Sequence, residues 1–300
     1  MTRPPVVLDH LTKTFGPRRG IGDVTLTVEE GQVVGFLGPN GAGKSTTIRC
    51  LLGLYHPTSG QARVLGHDPT DAGRGFLSDV GYIPGELRLP ESLSGADVLD
   101  RCARIRGLTG TTCRDELVER FGAEVDRPLK VLSKGNKQKL GIILAFMHRP
   151  RLLVLDEPTS GLDPLLRGEF TALVRRTVDE GRTVFLSSHD LDEVQQLADR
   201  VAIIKEGRLV ANDTVDSLRA ASPHTIEVDF DHDVDTRPLT RLPNISVVAA
   251  GPRHATLTYT GPAAPVLDVL TPLRPVALIA RRAGLEELFL RLYGGETDEH

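Results

Sequence analysis

The chain is 300 residues long, 40% of them hydrophobic, and its formal net charge at pH 7 is −4. This length suffices for a well-packed core, and we expect one domain of about 200 residues beside a smaller one. The small negative charge argues against a general nucleic-acid-binding protein, because such proteins usually carry a basic excess.

The first part of the chain shows the patterns of β-strands. Val6–Leu8, Thr12–Phe15 and Val24–Val28 alternate and are rich in valine and threonine, which predicts short antiparallel strands. Gln32–Leu37 is a nearly continuous apolar run, as is typical of a parallel strand buried on both faces.

A glycine-rich loop follows this strand. It consists of Gly38, Pro39, Asn40, Gly41, Ala42, Gly43, Lys44 and Ser45, and it fits the pattern G-x-x-x-x-G-K-[ST]. Backbone amides in such a loop bind phosphates, Lys44 adds a positive charge, and the Ser45 hydroxyl suits Mg²⁺. The alternative is a turn whose lysine is merely solvated, but the strand before it and a helix starting near Gly43 favour nucleotide binding. Thr46 completes this group of candidate nucleotide-binding residues.

The middle of the chain alternates between apolar and helix-like segments. Buried strands are predicted at Val80–Ile83, Leu152–Leu155, Thr183–Leu186 and Val201–Ile204. This alternation predicts an α/β domain with a largely parallel sheet. Residues 91–150 interrupt it with charged sequence such as Asp115–Phe121 and Lys137–His148, which we interpret as an inserted helical subdomain.

The character of the sequence changes around Ser217–Pro223. Strands are predicted at Thr225–Phe230, Ile245–Ala249, Ala255–Tyr259 and Val276–Ala280, and helices at Ala264–Leu270 and Leu285–Tyr293. We therefore predict two domains, residues 1–221 and residues 222–300, the second being a small α+β domain without a catalytic pattern.

Cysteine usage and hydropathy indicate the compartment. Cys50, Cys102 and Cys113 are widely spaced and form no C-x-x-C pair, so we expect a reduced, cytosolic chain. The most apolar stretch, Leu140–Met147, is far shorter than the roughly 18 residues that cross a bilayer. The first residues also lack the apolar segment of a secretory signal. If the protein acts at a membrane, we expect another protein to dock it there.

Two carboxylates end the strand predicted at Leu152–Leu155. Asp156 and Glu157 would lie at the carboxyl edge of a parallel sheet, where α/β folds bind ligands. Asp156 suits Mg²⁺ through water, and Glu157 suits a general base for the attacking water. Alone, the pair could be an acidic turn; together with the phosphate loop it indicates a P-loop NTPase.

A segment of the helical insert points to one class of NTPase. Leu132–Asn136 resembles the signature sequence of ABC ATPases, usually Leu-Ser-Gly-Gly-Gln, with Lys134 and Asn136 as departures. In that family the segment begins a helix and contacts the γ-phosphate of ATP bound by the opposite subunit. The resemblance implies this role for Ser133 and the amide of Gly135. The alternative is a capped basic helix at the surface, and the role of Lys134 stays open.

Three further elements resemble the same family. Ser160–Asp163 resembles the D-loop that couples the two sites of a dimer, and Asp163 followed by Pro164 also suits a helix start. His189 resembles the switch histidine that contacts the γ-phosphate, and Phe15 resembles the aromatic that stacks on adenine. A structural histidine and an ordinary core phenylalanine are the alternatives.

One family element is replaced. The family usually has a glutamine after the strand at Val80–Ile83, touching Mg²⁺ and relaying to the membrane domain, but Gly85 stands there. We hypothesise that Glu86 substitutes as a water-mediated ligand. This variant and the tail Gly284–Leu290 resemble ATPase subunits of bacterial drug-, antibiotic- and polysaccharide-type ABC exporters.

The resemblance implies a fold, a cofactor set and partners. The fold is an α/β P-loop NTPase core with an antiparallel β subdomain, an inserted helical subdomain and a small α+β C-terminal domain. ATP and Mg²⁺ are the implied cofactors, and a head-to-tail homodimer with two ATP molecules between its subunits is the implied assembly. Such a dimer would sit at the cytoplasmic face of the cell membrane and power a separate multi-spanning permease that exports drugs, antibiotics or other amphiphilic compounds.

Other functions remain as alternatives. Soluble ABC ATPases of translation or repair typically carry two cassettes or a long coiled coil, and this chain has neither pattern. A GTPase is disfavoured because Asn136–Lys139 begins like N-K-x-D but ends in lysine. A nucleotide-switched regulatory protein would not need Glu157 and His189. The lysines at residues 130–139 lack interleaved aromatics, so we predict a solvated or nucleotide-sensing face and no nucleic-acid partner.

Overall fold

The computed structural model describes residues 3–16, 18–71, 73–108, 113–221, 224–235, 245–281 and 289. Its backbone divides into two units, Met1–Asp213 and Thr214–His300. The sequence-based assignment of two domains, residues 1–221 and 222–300, stays a prediction.

The first unit is built from strands and helices that alternate along most of its length. Its strands are β1 (Val6–Phe15), β2 (Arg18–Val28), β3 (Val33–Leu37), β4 (Ser59–Val64), β5 (Val80–Ile83), β6 (Leu152–Asp156), β7 (Thr183–Ser188), β8 (Arg200–Lys205) and β9 (Arg208–Thr214). Its helices are α1 (Lys44–Leu51), α2 (Gly95–Ile105), α3 (Arg114–Phe121), α4 (Lys134–Phe146), α5 (Pro164–Asp179) and α6 (Leu191–Leu197).

A six-stranded sheet in the order β5-β6-β7-β3-β8-β9 forms the centre of this unit. The pairs β5–β6, β6–β7, β7–β3 and β3–β8 are parallel. Every residue of β3, β6 and β7 is buried, as their largely apolar sequences predict. The carboxyl ends of these strands therefore share one edge of the sheet, and the predicted α/β class is confirmed.

A smaller antiparallel sheet has the order β2-β1-β4. The segments predicted as separate strands at residues 6–8 and 12–15 form the single strand β1. Strand β4 was not predicted, because its sequence Ser-Gly-Gln-Ala-Arg-Val buries only Ala62 and Val64 and so lacks a clear alternation. Strand β9 was also not predicted, because none of its residues is fully buried.

Helices α2, α3 and α4 lie between β5 and β6, where the sequence is charged and helix-like. Helix α4 begins at Lys134, three residues before the helix-like segment Lys137–His148, because the Ser133 hydroxyl caps it by accepting a hydrogen bond from Asn136 N at 3.1 Å. Helix α2 was not predicted, although Ser94 and Asp97 form a capping box at its start.

The second unit contains helix α7 (Val215–Ala221), strands β10 (His224–Asp229), β11 (Ile245–Ala250) and β12 (His254–Tyr259), helix α8 (Ala264–Leu270) and strand β13 (Ala277–Arg281). The four strands form an antiparallel sheet in the order β11-β12-β10-β13. Buried side chains of β10, β12 and α8, including Val228, Leu257 and Leu270, make its core. The predicted α+β character is confirmed for the described part.

Part of the predicted C-terminal tail lies outside the described residues. The helix expected at Leu285–Tyr293 and the tail Gly284–Leu290 both fall there, apart from Phe289. Within the described ranges, the helices are too short or too polar to span a bilayer.

Candidate nucleotide site

The phosphate loop connects β3 to α1 through a tight backbone path. Gly38 N donates a hydrogen bond to Ser188 O at 3.2 Å, which ties the loop to the end of β7. Gly43 has φ +114°, and a methyl group there would lie 2.7 Å from Ile21 Cγ2. Only glycine fits this left-handed position without displacing β2. The glycine that the pattern requires is thus explained by the packing directly before α1.

Lys44, the first residue of α1, turns its side chain back over the loop. The residue is 5% exposed, and Nζ donates to Gly38 O at 2.7 Å and to Pro39 O at 3.2 Å. The same atom lies 3.4 Å from Glu157 Oε1. The loop therefore keeps one buried positive charge at the carboxyl edge of the sheet.

A cavity of about 430 Å³ opens over this loop. Its lining residues are Phe15, Gly20, Asn40, Gly41, Gly43, Lys44, Ser45, Thr46 and Glu157. Three other residues of the loop do not belong to this lining in the described part of the chain: Gly38, Pro39 and Ala42. Six of the predicted nucleotide-binding loop residues thus share one concave surface with a carboxylate and an aromatic ring.

Phe15 lies at the end of β1 and is 43% exposed, so it is not an ordinary core phenylalanine. Its ring makes an edge-to-face contact with Tyr55 at a centroid distance of 5.3 Å. Lys13 Nζ lies 5.3 Å from the centroid of the Phe15 ring. An exposed ring at the mouth of the cavity offers a surface on which a planar base can stack.

The acidic pair lies where β6 ends. Asp156 is 4% exposed and accepts a hydrogen bond from the Ser187 hydroxyl of neighbouring β7. Glu157 follows with φ +49°, and its amide donates to Ser187 O at 3.0 Å. This left-handed turn separates the two carboxylates: Asp156 stays in the sheet, whereas Glu157 is one-quarter exposed and reaches the phosphate loop.

His189 directly follows β7 and completes a compact group of ionisable side chains. Its Nδ1 lies 3.2 Å from Glu157 Oε1. The next residue, Asp190, caps α6 by accepting hydrogen bonds from Asp192 N and Glu193 N at 3.0 and 3.2 Å. The cap fixes the chain direction after His189, as predicted. Glu157 Oε1 thus lies between the lysine of the loop and the histidine of the next strand.

A second cavity, of about 640 Å³, also borders the acidic pair. Its lining residues are Ser45, Arg49, Tyr55, Tyr82, Pro84, Gly85, Glu86, Arg88, Asp156 and Glu157. Burial raises the pKa of Tyr82, and the nearby Asp156 carboxylate raises it further, so this phenol stays protonated. The lining of this cavity thus includes all three candidate metal ligands, Ser45, Asp156 and Glu86.

Gly85 and Glu86 differ in how they relate to Asp156. A methyl group at Gly85 would lie 3.2 Å from Asp156 Oδ2, so the backbone here runs directly against the carboxylate. Glu86 is largely exposed and forms an ion pair with Arg88 at 2.9 Å. The structure places Glu86 at the rim of the second cavity, where a water molecule would be needed to link it to a metal near Asp156.

Ser133, Gly135 and Asp163 lie outside both cavities in the described part of the chain. Ser133 caps α4, and Asp163 caps α5 by accepting a hydrogen bond from Leu166 N at 3.0 Å. The predicted helix starts are confirmed. Within a single chain, however, the structure does not bring these residues to the phosphate loop.

Arg49 and Tyr55 line the second cavity but were not among the predicted residues. Arg49 follows Ser45 by one helical turn of α1, and its Nη1 donates to the Tyr55 hydroxyl at 3.0 Å. The spacing of four residues places Ser45 and Arg49 on one face of the helix, a signal available in the sequence. Tyr55 contacts Phe15 and Arg49, and the sequence does not reveal these contacts.

Sequence comparison relates the chain to one family of known proteins. The model of the ABC transporter family matches residues 21–160. The chain is 36% identical over 309 residues to the daunorubicin/doxorubicin resistance ATP-binding protein DrrA of Streptomyces peucetius, an alignment that covers 96% of this chain and 92% of that protein. It is 39% identical over 220 residues to the bacitracin transport ATP-binding protein BcrA of Bacillus licheniformis, covering 72% of each.

Solved structures of similar fold include an ATP-binding subunit of an ABC transporter, with a TM-score of 0.66, 31% identity and coverage of 71% of this chain and 91% of that chain. A nucleotide-free ATP-binding cassette from an ABC transporter has a TM-score of 0.61 at 20% identity, covering 71% of this chain and 92% of that chain. The second likeness concerns the fold alone, and both confirm the predicted fold class.

Proposed function

The chain belongs to the family of ABC transporter ATP-binding proteins, and from this we propose that it uses Mg²⁺-dependent ATP hydrolysis to drive a separate membrane-spanning permease. One arrangement supports this function above all. Glu157 Oε1 lies within 3.4 Å of Lys44 Nζ and 3.2 Å of His189 Nδ1, beside a glycine-rich loop. A carboxylate placed between a phosphate-binding cation and a histidine suits a general base for water.

Each side chain of this group has a separate task. Lys44 and the loop amides bind the terminal phosphates, with the start of α1 adding favourable charge. Glu157 accepts the proton of the attacking water, and His189 orients that carboxylate and reaches towards the γ-phosphate. Phe15 packs against the adenine.

The oxygen donors at the second cavity fit Mg²⁺. Ser45 offers a hydroxyl at the start of α1, and Asp156 offers a carboxylate that is fixed by the Ser187 hydroxyl. Mg²⁺ favours such hard oxygen ligands together with water and phosphate oxygens. When bound there, the ion would neutralise charge that develops on the phosphates.

Glu86→Ala is expected to raise the Mg²⁺ concentration for half-maximal ATP hydrolysis by about three- to tenfold, because it removes a water-mediated partner of the ion. Steady-state ATPase assays over a Mg²⁺ titration measure this shift. Glu91→Ala, which also removes an exposed carboxylate after β5, serves as the matched control. An unchanged Mg²⁺ dependence and turnover in the Glu86 variant would remove this residue from the site.

We propose that two copies of this chain form a head-to-tail homodimer. Ser133, Gly135 and Asp163 border neither cavity of their own chain in the described residues, which supports a role towards the partner's nucleotide. Each of two ATP molecules would lie between the phosphate loop of one subunit and the Ser133–Gly135 segment of the other. Closure on ATP and reopening after hydrolysis would supply the two states that drive the permease.

The proposed cargo follows from the relatives. The similar proteins carry names that refer to daunorubicin and doxorubicin resistance and to bacitracin transport. We therefore propose that the permease exports drugs, antibiotics or other amphiphilic compounds, and that this chain is docked peripherally at the cytoplasmic face of the cell membrane.

A pull-down of the tagged chain from its native membranes in mild detergent tests this function. We expect a multi-spanning membrane protein in stoichiometric amount, identified by mass spectrometry and absent from an untagged control strain. Recovery of only soluble or ribosomal proteins with an ATP-hydrolysing preparation would leave the ATPase and remove the transport function.

A further inference from the structure

The first turns of α4 contact the segment that follows the acidic pair in the same chain. Gln138 is 7% exposed, and its Nε2 donates a hydrogen bond to Pro158 O at 2.6 Å. Pro158 is the residue directly after Glu157. A buried amide of the helical insert is therefore bonded to the backbone one residue from the proposed catalytic carboxylate.

Two more contacts join the same face of α4 to this segment. A methyl group at Gly135 would lie 3.2 Å from Gly161 O, so the two backbones run in close contact. A methyl group at Gly161 would lie 3.5 Å from both Cδ and Cε of Lys134, whose aliphatic stem covers that glycine. Lys134 and Gln138 are four residues apart and so share this face of the helix.

The first turn of α4 is also fixed on another side. The Asn136 side chain donates to Glu124 O and accepts from Glu124 N, both at 2.9 Å. Asn136 is buried, and its amide is committed to these two bonds. The start of α4 thus lies between residue 124 and the segment 158–161. Gln138 makes a hydrogen bond from α4 to that segment.

Glu157 needs such support because its backbone is strained. Its φ of +49° lies in the left-handed region, which is unfavourable for a non-glycine residue. Glu157 N bonds to Ser187 O, and Ser160 N bonds to Glu157 O at 3.2 Å. These bonds fix the two ends of the turn, and the Gln138 bond fixes the peptide between them.

We infer that Gln138 is a positioning residue for Glu157: its amide N–H holds the Pro158 carbonyl and thereby the turn that aims the Glu157 carboxylate. This inference rests on the proposed role of Glu157 as general base. It also gives the helical insert a direct mechanical link to the hydrolytic centre of its own subunit. A shift of α4 on dimer closure would move the turn after Glu157 through this bond.

Gln138→Leu is expected to lower kcat for ATP hydrolysis by about tenfold, since a buried carbonyl loses its donor and the turn relaxes. The KM for ATP should stay within about twofold, because Gln138 borders neither described cavity. Purified full-length protein in a steady-state ATPase assay gives both constants. Far-UV circular dichroism checks the fold, and Gln138→Asn, whose amide is one methylene too short, replaces the leucine variant if that variant does not fold.

Two further substitutions separate hydrogen bonding from packing. Gln138→Glu keeps the size but loses the N–H donor, whereas Gln138→His changes the shape and keeps a donor of similar reach. A positioning hydrogen bond predicts low kcat in the glutamate variant and partial recovery in the histidine variant. A packing role alone predicts the opposite order and would overturn the inference.

A matched control and the Glu157→Gln variant complete the experiment. Thr177→Val removes another buried bond, from Oγ1 to Leu173 O at 2.8 Å within α5, and should leave kcat unchanged. Wild-type kcat in the leucine and glutamate variants, with Glu157→Gln inactive, would overturn the inference and leave the proposed function standing. An active Glu157→Gln protein would instead refute the base assignment on which both rest.

Discussion

Replacing Glu157 with glutamine is expected to lower ATP turnover by about 10²- to 10⁴-fold, the usual contribution of a general base. Glutamine keeps the shape of the side chain but cannot accept the proton of the attacking water. ATP affinity should be retained, because the phosphate loop and the Phe15 ring are unchanged. Single-turnover hydrolysis, together with equilibrium binding of ATP, distinguishes lost chemistry from lost binding.

The geometry explains why this loss should be confined to the chemical step. Glu157 Oε1 is 3.4 Å from Lys44 Nζ, so the carboxylate faces the position where the terminal phosphate would lie. Glu119→Gln makes the same change on the exposed side of α3 and should have no effect. A fall of less than tenfold in the Glu157 variant would exclude it as the base, and Asp156 or His189 would then need testing.

Much of this site could be predicted from the sequence because its residues lie next to one another along the chain. The loop of residues 38–45 follows a buried strand, and Asp156 and Glu157 end another. In a parallel sheet the carboxyl ends meet at one edge, so two local patterns determine one site. His189 follows the same logic at the end of β7.

The remaining parts depend on contacts that local patterns do not encode. Gln138 and Pro158 are 20 residues apart, and nothing in either segment reveals their hydrogen bond. Gly85 lies against Asp156 only because β5 and β6 pair in parallel with Ile83 opposite Leu155. Where the family usually has a glutamine, the Gly85 backbone of this chain lies close to the Asp156 carboxylate. Only the fold shows this contact.

Peripheral strands were harder to predict than the central sheet for a related reason. Strand β4 exposes most of its side chains, so hydrophobic alternation gives little signal, and its position is set by pairing with β1. The signature segment shows the opposite case. Its resemblance to a family motif predicts a contact with a nucleotide in another subunit. Its contacts within this chain, through Asn136 and Gln138, could not be predicted from the sequence.

Lys44→Met is expected to weaken ATP binding by about 10- to 100-fold, since hydrogen bonds to charged groups contribute roughly 1.5–3 kcal/mol each. Methionine keeps most of the apolar stem but removes the positive charge. The buried Nζ also bonds to Gly38 O and Pro39 O, so the loop itself should loosen. Isothermal titration calorimetry with ATP measures the change in Kd.

The Lys44 variant also tests how the charges of the site depend on one another. Without the ammonium, Glu157 Oε1 keeps its 3.2 Å contact with His189 Nδ1 but loses the cation 3.4 Å away, and a bound phosphate would meet an uncompensated carboxylate. The double variant Lys44→Met with Glu157→Gln should therefore bind ATP more tightly than Lys44→Met alone. Lys130→Met, at an exposed position before α4, should bind like the wild type. Equal affinities for the single and double variants would mean that Lys44 and Glu157 act on the nucleotide independently. The two side chains would then not form one functional unit.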